Sequence, residues 1–252
     1  MAYADQRVGV SSACNVYPKH GKGVWLWIEQ LTVKAKALGI NMLTNHSVNE
    51  LELKSGQVTS VILQNGKSIP TQHLCWCTPV FPLLKLAGVV YLSEYKPTFR
   101  RTDLYHFVFT QPLLNSNTYV DVNDANYHAF RLTLYPNLIP VLNNLYRVTV
   151  EVIGTASTEH LPSLETIHEE LIALGIVDRE NVLELSTQDT VPMGFPVMTT
   201  QFMQETRRQA QACAEHLNNV SLLGKAGGKV FFMQEVLNDT VAQLESIVNG
   251  EP

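Results

Sequence analysis

The chain has 252 residues, enough for one large domain or two small ones with a substantial core. No run approaches the roughly 18 apolar residues of a membrane-spanning helix, and 18 basic against 23 acidic residues give a net charge of −5 without a basic cluster. A membrane span is thereby excluded, and nucleic acid is not the expected partner. Charged residues make up only 16%, against about 25% in an average soluble domain, so part of the surface is expected to be covered by something else. Four cysteines, Cys14, Cys75, Cys77 and Cys213, are too sparse for a disulfide framework, and the first residues lack the features of a signal peptide. The expected location is cytoplasmic, in a reducing setting.

After Tyr17-Pro18 and Gly21-Lys22-Gly23, apolar residues at Val24, Ile28, Leu31, Ala35 and Leu38 follow helical spacing. Gly39 is a suitable stop. Trp25 and Trp27 lie off that stripe, which predicts a helix buried on several sides. Strands are expected at 40–43, 48–53, 58–63, 67–69 and 74–77, with turns at 54–57 and at Asn65-Gly66, the strongest short hairpin signal.

From 81 to about 199 the texture is β-rich, with apolar segments at 105–109, 118–122, 129–134 and 146–153 separated by Pro and Asn loops. That pattern predicts an antiparallel sheet. One helix interrupts it at 163–174, with Ser163 as N-cap and Gly175 as stop. A polar-faced helix around 202–217, a buried strand at 220–223, a glycine turn at 224–228 and a closing helix within 234–248 complete the chain. No internal repeat or low-complexity tract occurs. The first and last portions are expected to pair, with the β-rich portion inserted between them.

The common signatures of hydrolases, zincins, phosphate loops and dinucleotide-binding loops are missing. His73, Cys75 and Cys77 alternate along one strand, but residues roughly 6.8 Å apart are too far separated to share one zinc, so no metal is expected. His168, Glu169 and Glu170 read as the solvated face of an amphipathic helix. The turn 222–229 combines glycines, which admit close approach to the backbone, with a following helix N-terminus that favours an anion or electron-rich carbonyl. An ordinary tight connection explains the same spacing.

Five segments in order resemble the carboxyl-side part of the flavin-containing amine oxidase and protoporphyrinogen oxidase superfamily, which also includes galactopyranose-mutase-like enzymes. They are Tyr17-Pro18-Lys19-His20-Gly21-Lys22-Gly23 before a helix, Asn45-His46-Ser47-Val48 with its meander, and Cys77-Thr78-Pro79. The last two are Met193-Gly194-Phe195-Pro196-Val197 and Leu223-Gly224-Lys225-Ala226-Gly227 followed by residues 231–237. The resemblance implies an α+β fold: a partial FAD-binding portion (1–80 and 200–252) of helix, meander and closing helix, and an inserted antiparallel substrate-binding sheet (81–199). It implies FAD as cofactor, with Val48 at the adenine, Thr78 and Pro79 near the cofactor, and Gly224, Lys225 and Gly227 at the pyrophosphate. Glu235, Val236 and Leu237 would face the isoalloxazine carbonyl.

Tyr119, Tyr127 and Phe195 are the pocket aromatics it suggests for a small-molecule substrate. No catalytic side chain is assigned. Lys225 stands where Arg is usual and Glu235 where Asp is usual. The family's amino-terminal G-x-G-x-x-G unit does not occur in these 252 residues. The resemblance therefore implies the carboxyl-side portion of an FAD-dependent oxidoreductase that holds FAD weakly or not at all by itself. Its uncovered face would meet a separate FAD-binding polypeptide or another copy. A flavin-free binding or scaffolding module, or part of a mutase-like isomerase, are the alternatives.

Overall fold

The computed structural model describes residues 22–155, 160–230 and 233–249. The Tyr17–Gly21 part of the first motif, Cys14 and Phe231 lie outside the described residues. In chain order the elements are α1 (Trp25–Ala37), β1 (Val48–Lys54), β2 (Gln57–Leu63), β3 (Ser68–Pro70), β4 (Leu74–Trp76), α2 (Val80–Leu86), β5 (Phe99–Phe109), β6 (Tyr119–Asp121) and β7 (Ala129–Leu134). They continue with β8 (Tyr146–Thr155), α3 (Leu164–Ala173), β9 (Leu183–Pro196), α4 (Thr200–His216), β10 (Val220–Leu222) and α5 (Met233–Asn249), with 3₁₀ turns at Tyr135–Asn137 and Gly224–Gly227. The fold is α+β.

The chain divides into two compact units. One holds Phe99–Pro196 with the described residues up to Met42, built on an antiparallel sheet of order β6-β7-β8-β5-β9. Alternation along its strands decides which side is dry. Tyr105, Phe107, Phe109, Leu132, Leu134, Val148 and Val150 form one buried face, packed with Ile167, Leu171, Ile176 and Val177 from α3 and its exit. The opposite face carries Arg131, Thr133, Arg147, Thr149, Glu151 and His106, brought side by side by the strand register.

Helix α3 starts as its sequence predicts, with the Ser163 hydroxyl accepting from the Thr166 amide at 3.0 Å. Its charged face is a correction. Glu169 pairs with Arg179 at the surface, but Glu170 is buried and accepts from the His128 and Ala129 amides and from the His128 ring at 2.6 Å. The carboxylate supplies acceptors to the start of β7, to the amide of buried Ala129 and to that of the more exposed His128. The buried Nε2 of His168 has no hydrogen-bond partner and its ring stacks on Phe107.

The other unit holds Leu43–Thr98 with the described residues from Val197 on. It contains the meander β1-β2-β3 and a separate parallel pair, β10 with β4. Its core joins Leu51, Val58, Val80, Leu83, Leu84, Cys213, Leu217 and Ala226. The expected portions differ from these units at two places. Residues 81–98 lie with the meander because α2 supplies three buried side chains to its core, and α1 groups with the sheet unit. No α1 residue is buried, and Trp25 and Trp27 are 60% and 50% exposed, so the expectation of burial on several sides does not hold. Residues 40–43 form no strand; the Ile40 amide instead closes the end of α1 on the Ala35 carbonyl.

Two elements escape a pattern-based reading for one reason. Helix α2 begins behind Pro79 and carries Pro82 in its first turn, where a missing amide costs nothing. Strand β9 contains Pro192, Gly194 and Pro196, breakers that an edge strand tolerates. Gly194 is also required by contact, since a Cβ there would lie 2.5 Å from the Thr102 hydroxyl.

Glu205, on α4, is buried and accepts from the Tyr91 hydroxyl at 2.9 Å and from Gln209. Burial pushes its carboxyl pKa up, but hydrogen bonds from Gln209, Ser93 and Tyr91, with the Arg208 charge, hold it below its ordinary value. Its stabilising effect is present in full above the unfolded value, near 4.5, and is lost as pH falls below it toward the folded value. Acid titration of unfolding free energy should therefore be shallower for Glu205→Gln than for the wild type in that window. Glu170→Ala should lower the unfolding free energy by about 3 kcal/mol, measured by urea denaturation at neutral pH.

Candidate functional site

Parallel pairing of β4 with β10 aligns Leu74 with Val220, Cys75 with Ser221 and Trp76 with Leu222. Both strands therefore run out at the same end, the end where parallel sheets present ligand-binding loops. There the Leu223 amide donates to the Trp76 carbonyl at 2.9 Å. The Trp76 indole N–H donates to the Pro79 carbonyl at 3.0 Å and holds the Thr78-Pro79 turn against the strand end.

The other end of the pair is held by Asn219. Its side-chain oxygen accepts from the Val58 amide, and its Nδ2 donates to the Val58 and Gln72 carbonyls, each at 2.8 Å. One side chain thus ties β10 to β2 and to the approach to β4. An Asn beside a strand carries no sequence signal for partners some 150 residues away.

The 3₁₀ turn Gly224–Gly227 follows β10 and ends in Gly228 with φ +67°. A Cβ on Gly224, itself at φ +59°, would meet Val236 Cγ1 at 3.2 Å, and one on Gly228 would meet Thr206 Cγ2 at 2.8 Å. At these two glycines the turn passes close against α5 and α4, which leaves little room for a side chain at either. Contact of Gly224 with Val236 places the start of α5 beside the strand ends, and the first amides of a helix have no intrahelical acceptor. Thr78, Pro79, Gly224, Lys225, Gly227 and the Glu235–Leu237 turn are thereby brought to one locality. A helix start beside a glycine turn is an arrangement suited to an anionic or carbonyl-bearing group.

Val48 opens β1 and packs into the same core, but it lines a different cleft of about 710 Å³, shared with Glu50, Pro82, Lys85 and Gly88. The three suggested pocket aromatics are not brought together. Tyr119 lies on β6 and Phe195 on β9, the two opposite edges of the five-stranded sheet; four strand spacings amount to roughly 19 Å. Tyr119 sits beneath the Arg131 guanidinium, 5.9 Å from its ring centre, and Tyr127 lies in the loop before β7.

The row that the register does assemble is polar. His106 Nδ1 lies 2.8 Å from the Thr149 hydroxyl, His106 Nε2 lies 3.4 Å from Asp189, and the Thr149 hydroxyl donates to Tyr135 at 3.4 Å. Alternation of polar Arg147, Thr149 and Glu151 with apolar Val148, Val150 and Val152 is the signal that could have revealed this face.

Cys75 and Cys77 are exposed free thiols, and His73 bonds Ser221 at 2.9 Å. Desolvation, then the neighbouring Cys77, push the Cys75 thiol up, which disfavours the nucleophilic thiolate. Among the described residues no group of His, Cys, Asp and Glu is placed to hold a metal ion, and no helix is long and apolar enough to cross a membrane.

No family model and no curated protein matches the sequence. Solved structures do match in fold. A reduced UDP-galactopyranose mutase superposes with TM-score 0.64 at 12% identity, over 84% of this chain and 46% of that one. A putative protoporphyrinogen oxidase from an Exiguobacterium species gives TM-score 0.64 at 14% identity, over 87% and 50%. An oxidoreductase from Methanosarcina mazei gives 0.53 at 11%, over 86% and 53%. The chain spans about half the length of each.

Gly228→Ala should cost about 2–3 kcal/mol, since it adds a side-chain clash to a left-handed backbone. Gly66→Ala, equally left-handed at φ +80° but in open space, should cost about 1 kcal/mol; urea denaturation of the two variants separates the terms. The chain has the fold of one half of these mutase, oxidase and oxidoreductase structures, the oxidoreductase-like fold that the flavin-containing amine oxidase and protoporphyrinogen oxidase resemblance implies.

Proposed function

We propose that this chain is the carboxyl-side portion of an FAD-dependent oxidoreductase and completes a flavin site with a second portion bearing the glycine-rich nucleotide unit. The observation that carries this reading is the joint end of β4 and β10, where Thr78-Pro79, the Gly224–Gly227 turn and the start of α5 converge. The residues present suit part of such a cofactor. The turn of Gly224, Lys225 and Gly227, in which Gly224 is buried and Gly227 half-buried, takes the diphosphate side, and Glu235, Val236 and Leu237 at the start of α5 take the ring carbonyls. Val48 serves the adenine end. When bound, FAD supplies the two-electron acceptor; the chain's own residues bind it, orient it and exclude water from it.

The five-stranded sheet serves as the substrate-side surface, with Tyr119, Tyr127 and Phe195 contributing at separate places rather than in one pocket. Mutase-type isomerisation on the same scaffold is the second reading, favoured by equal fold agreement with the mutase and the oxidase.

The surface supports the need for a second portion. Between 24 and 43, ten apolar residues are exposed, among them Trp25, Trp27, Leu31, Val33 and Leu38. They lie on several sides of α1 and along the chain that leaves it. A separate FAD-binding polypeptide covers this face in the proposed assembly; self-association is the competing occupant.

Purified chain mixed with FAD should lose all flavin absorbance on gel filtration. The same chain co-purified with an amino-side FAD-binding unit of the neighbour fold should retain flavin, and Gly224→Val in that complex should abolish retention. A yellow complex formed by the chain alone, or retention unaffected by Gly224→Val, would contradict the reading.

A further inference from the structure

A second site, unconnected with the flavin reading, lies on the polar side of the five-stranded sheet. The 3₁₀ turn Tyr135–Asn137 and the tight turn at Leu142–Leu145 border an open cleft of about 410 Å³, a volume within the range of small-molecule pockets. The second turn is preformed. Asn143 and Asn144 both adopt left-handed backbone (φ +55° and +54°), and the Leu145 amide closes it on the Leu142 carbonyl at 3.0 Å. Ile139, Leu142 and Leu145 give the cleft apolar walls, and Arg147 and Lys22 are its charged lining residues.

Arg147 is what makes the cleft selective. Two arginines on this sheet face lie over tyrosine rings, Arg131 over Tyr119 and Arg147 over Tyr135, at 5.9 and 5.8 Å. Arg131 is neutralised by Glu151 at 2.6 Å. Arg147 has no carboxylate partner among the described residues, while Lys22 is held by Glu29 at 2.6 Å. Stacking on Tyr135 orders the Arg147 guanidinium and leaves its N–H edge for a ligand. Tyr135 is in turn fixed from behind, since its hydroxyl accepts from Thr149, whose own hydroxyl lies 2.8 Å from His106. Tyr135, Thr149 and His106 are therefore positioning residues.

We propose that this cleft binds a small molecule with an apolar body and one anionic head, a carboxylate or phosphate, the head on the Arg147 guanidinium and the body against Ile139, Leu142 and Leu145. The requirement is joint: the walls alone would take a neutral apolar molecule, and the guanidinium alone would take a simple anion.

The test uses the full chain without flavin, titrated by ligand-observed NMR with benzoate, phenyl phosphate, benzyl alcohol and inorganic phosphate. Benzoate or phenyl phosphate should bind at least about ten-fold more tightly than benzyl alcohol and inorganic phosphate, and the stronger of the two identifies the head group. Arg147→Gln should remove that advantage, Arg131→Gln should leave it intact, and Leu142→Asn should weaken both aromatic anions. Equal binding of benzyl alcohol, equal binding by Arg147→Gln, or no binding of either aromatic anion at millimolar concentration would overturn the proposal. None of these outcomes depends on whether the chain completes a flavin site.

Discussion

Three residues at 74–76 pair in parallel with three at 220–222, and much else depends on that short contact. The strands are far apart in sequence, with the whole five-stranded sheet between them. Closing such a loop is entropically expensive, though the cost grows only slowly with length. The contact persists because it is not carried by three residue pairs alone. Asn219 binds three backbone groups of β2 and the β3–β4 connection, and Leu51, Val58, Leu83, Leu84, Cys213 and Leu217 bury a shared core around it. Once the pair is formed, the glycine turn, the Thr78-Pro79 turn and the start of α5 have little freedom to be elsewhere.

This hierarchy explains which parts were legible in the sequence. Local signals were read well: the Asn65-Gly66 hairpin, the left-handed Ser55-Gly56 turn between β1 and β2, and the Ser163 cap and Gly175 stop of α3 all depend on residues within a few positions of one another. Elements built against local preference were missed. Helix α2 survives behind two prolines because three of its side chains are fully buried, and β9 survives Pro192 and Pro196 because it lies at a sheet edge. The same logic explains Glu170, whose position on α3 reads as solvated until β7 is brought over it.

The site was legible in part, and for a different reason. The glycine turn announces a tight passage, but not what it passes between; a Cβ added at Gly224 would meet α5, one at Gly227 the Leu222 carbonyl and one at Gly228 α4. Those glycines are accounted for by packing inside the unit. Tyr119 and Phe195 looked alike as pocket aromatics because strand order is not written in a sequence, and the order puts them at opposite edges. Val24, Trp25, Trp27, Leu31, Val33 and Leu38 are exposed although Glu29, Lys34 and Lys36 share the same segment, so the low charge content of the chain does not single out this surface.

The most direct test of this account is a set of interstrand nuclear Overhauser effects in the isotopically labelled chain. The parallel register requires cross-strand backbone contacts between Leu74 and Val220, Cys75 and Ser221, and Trp76 and Leu222, with the Leu223 amide protected from exchange by the Trp76 carbonyl. Contacts in antiparallel order, or pairing of 220–222 with any strand other than β4, would separate the glycine turn from Thr78-Pro79 and remove the structural basis of the proposed cofactor site.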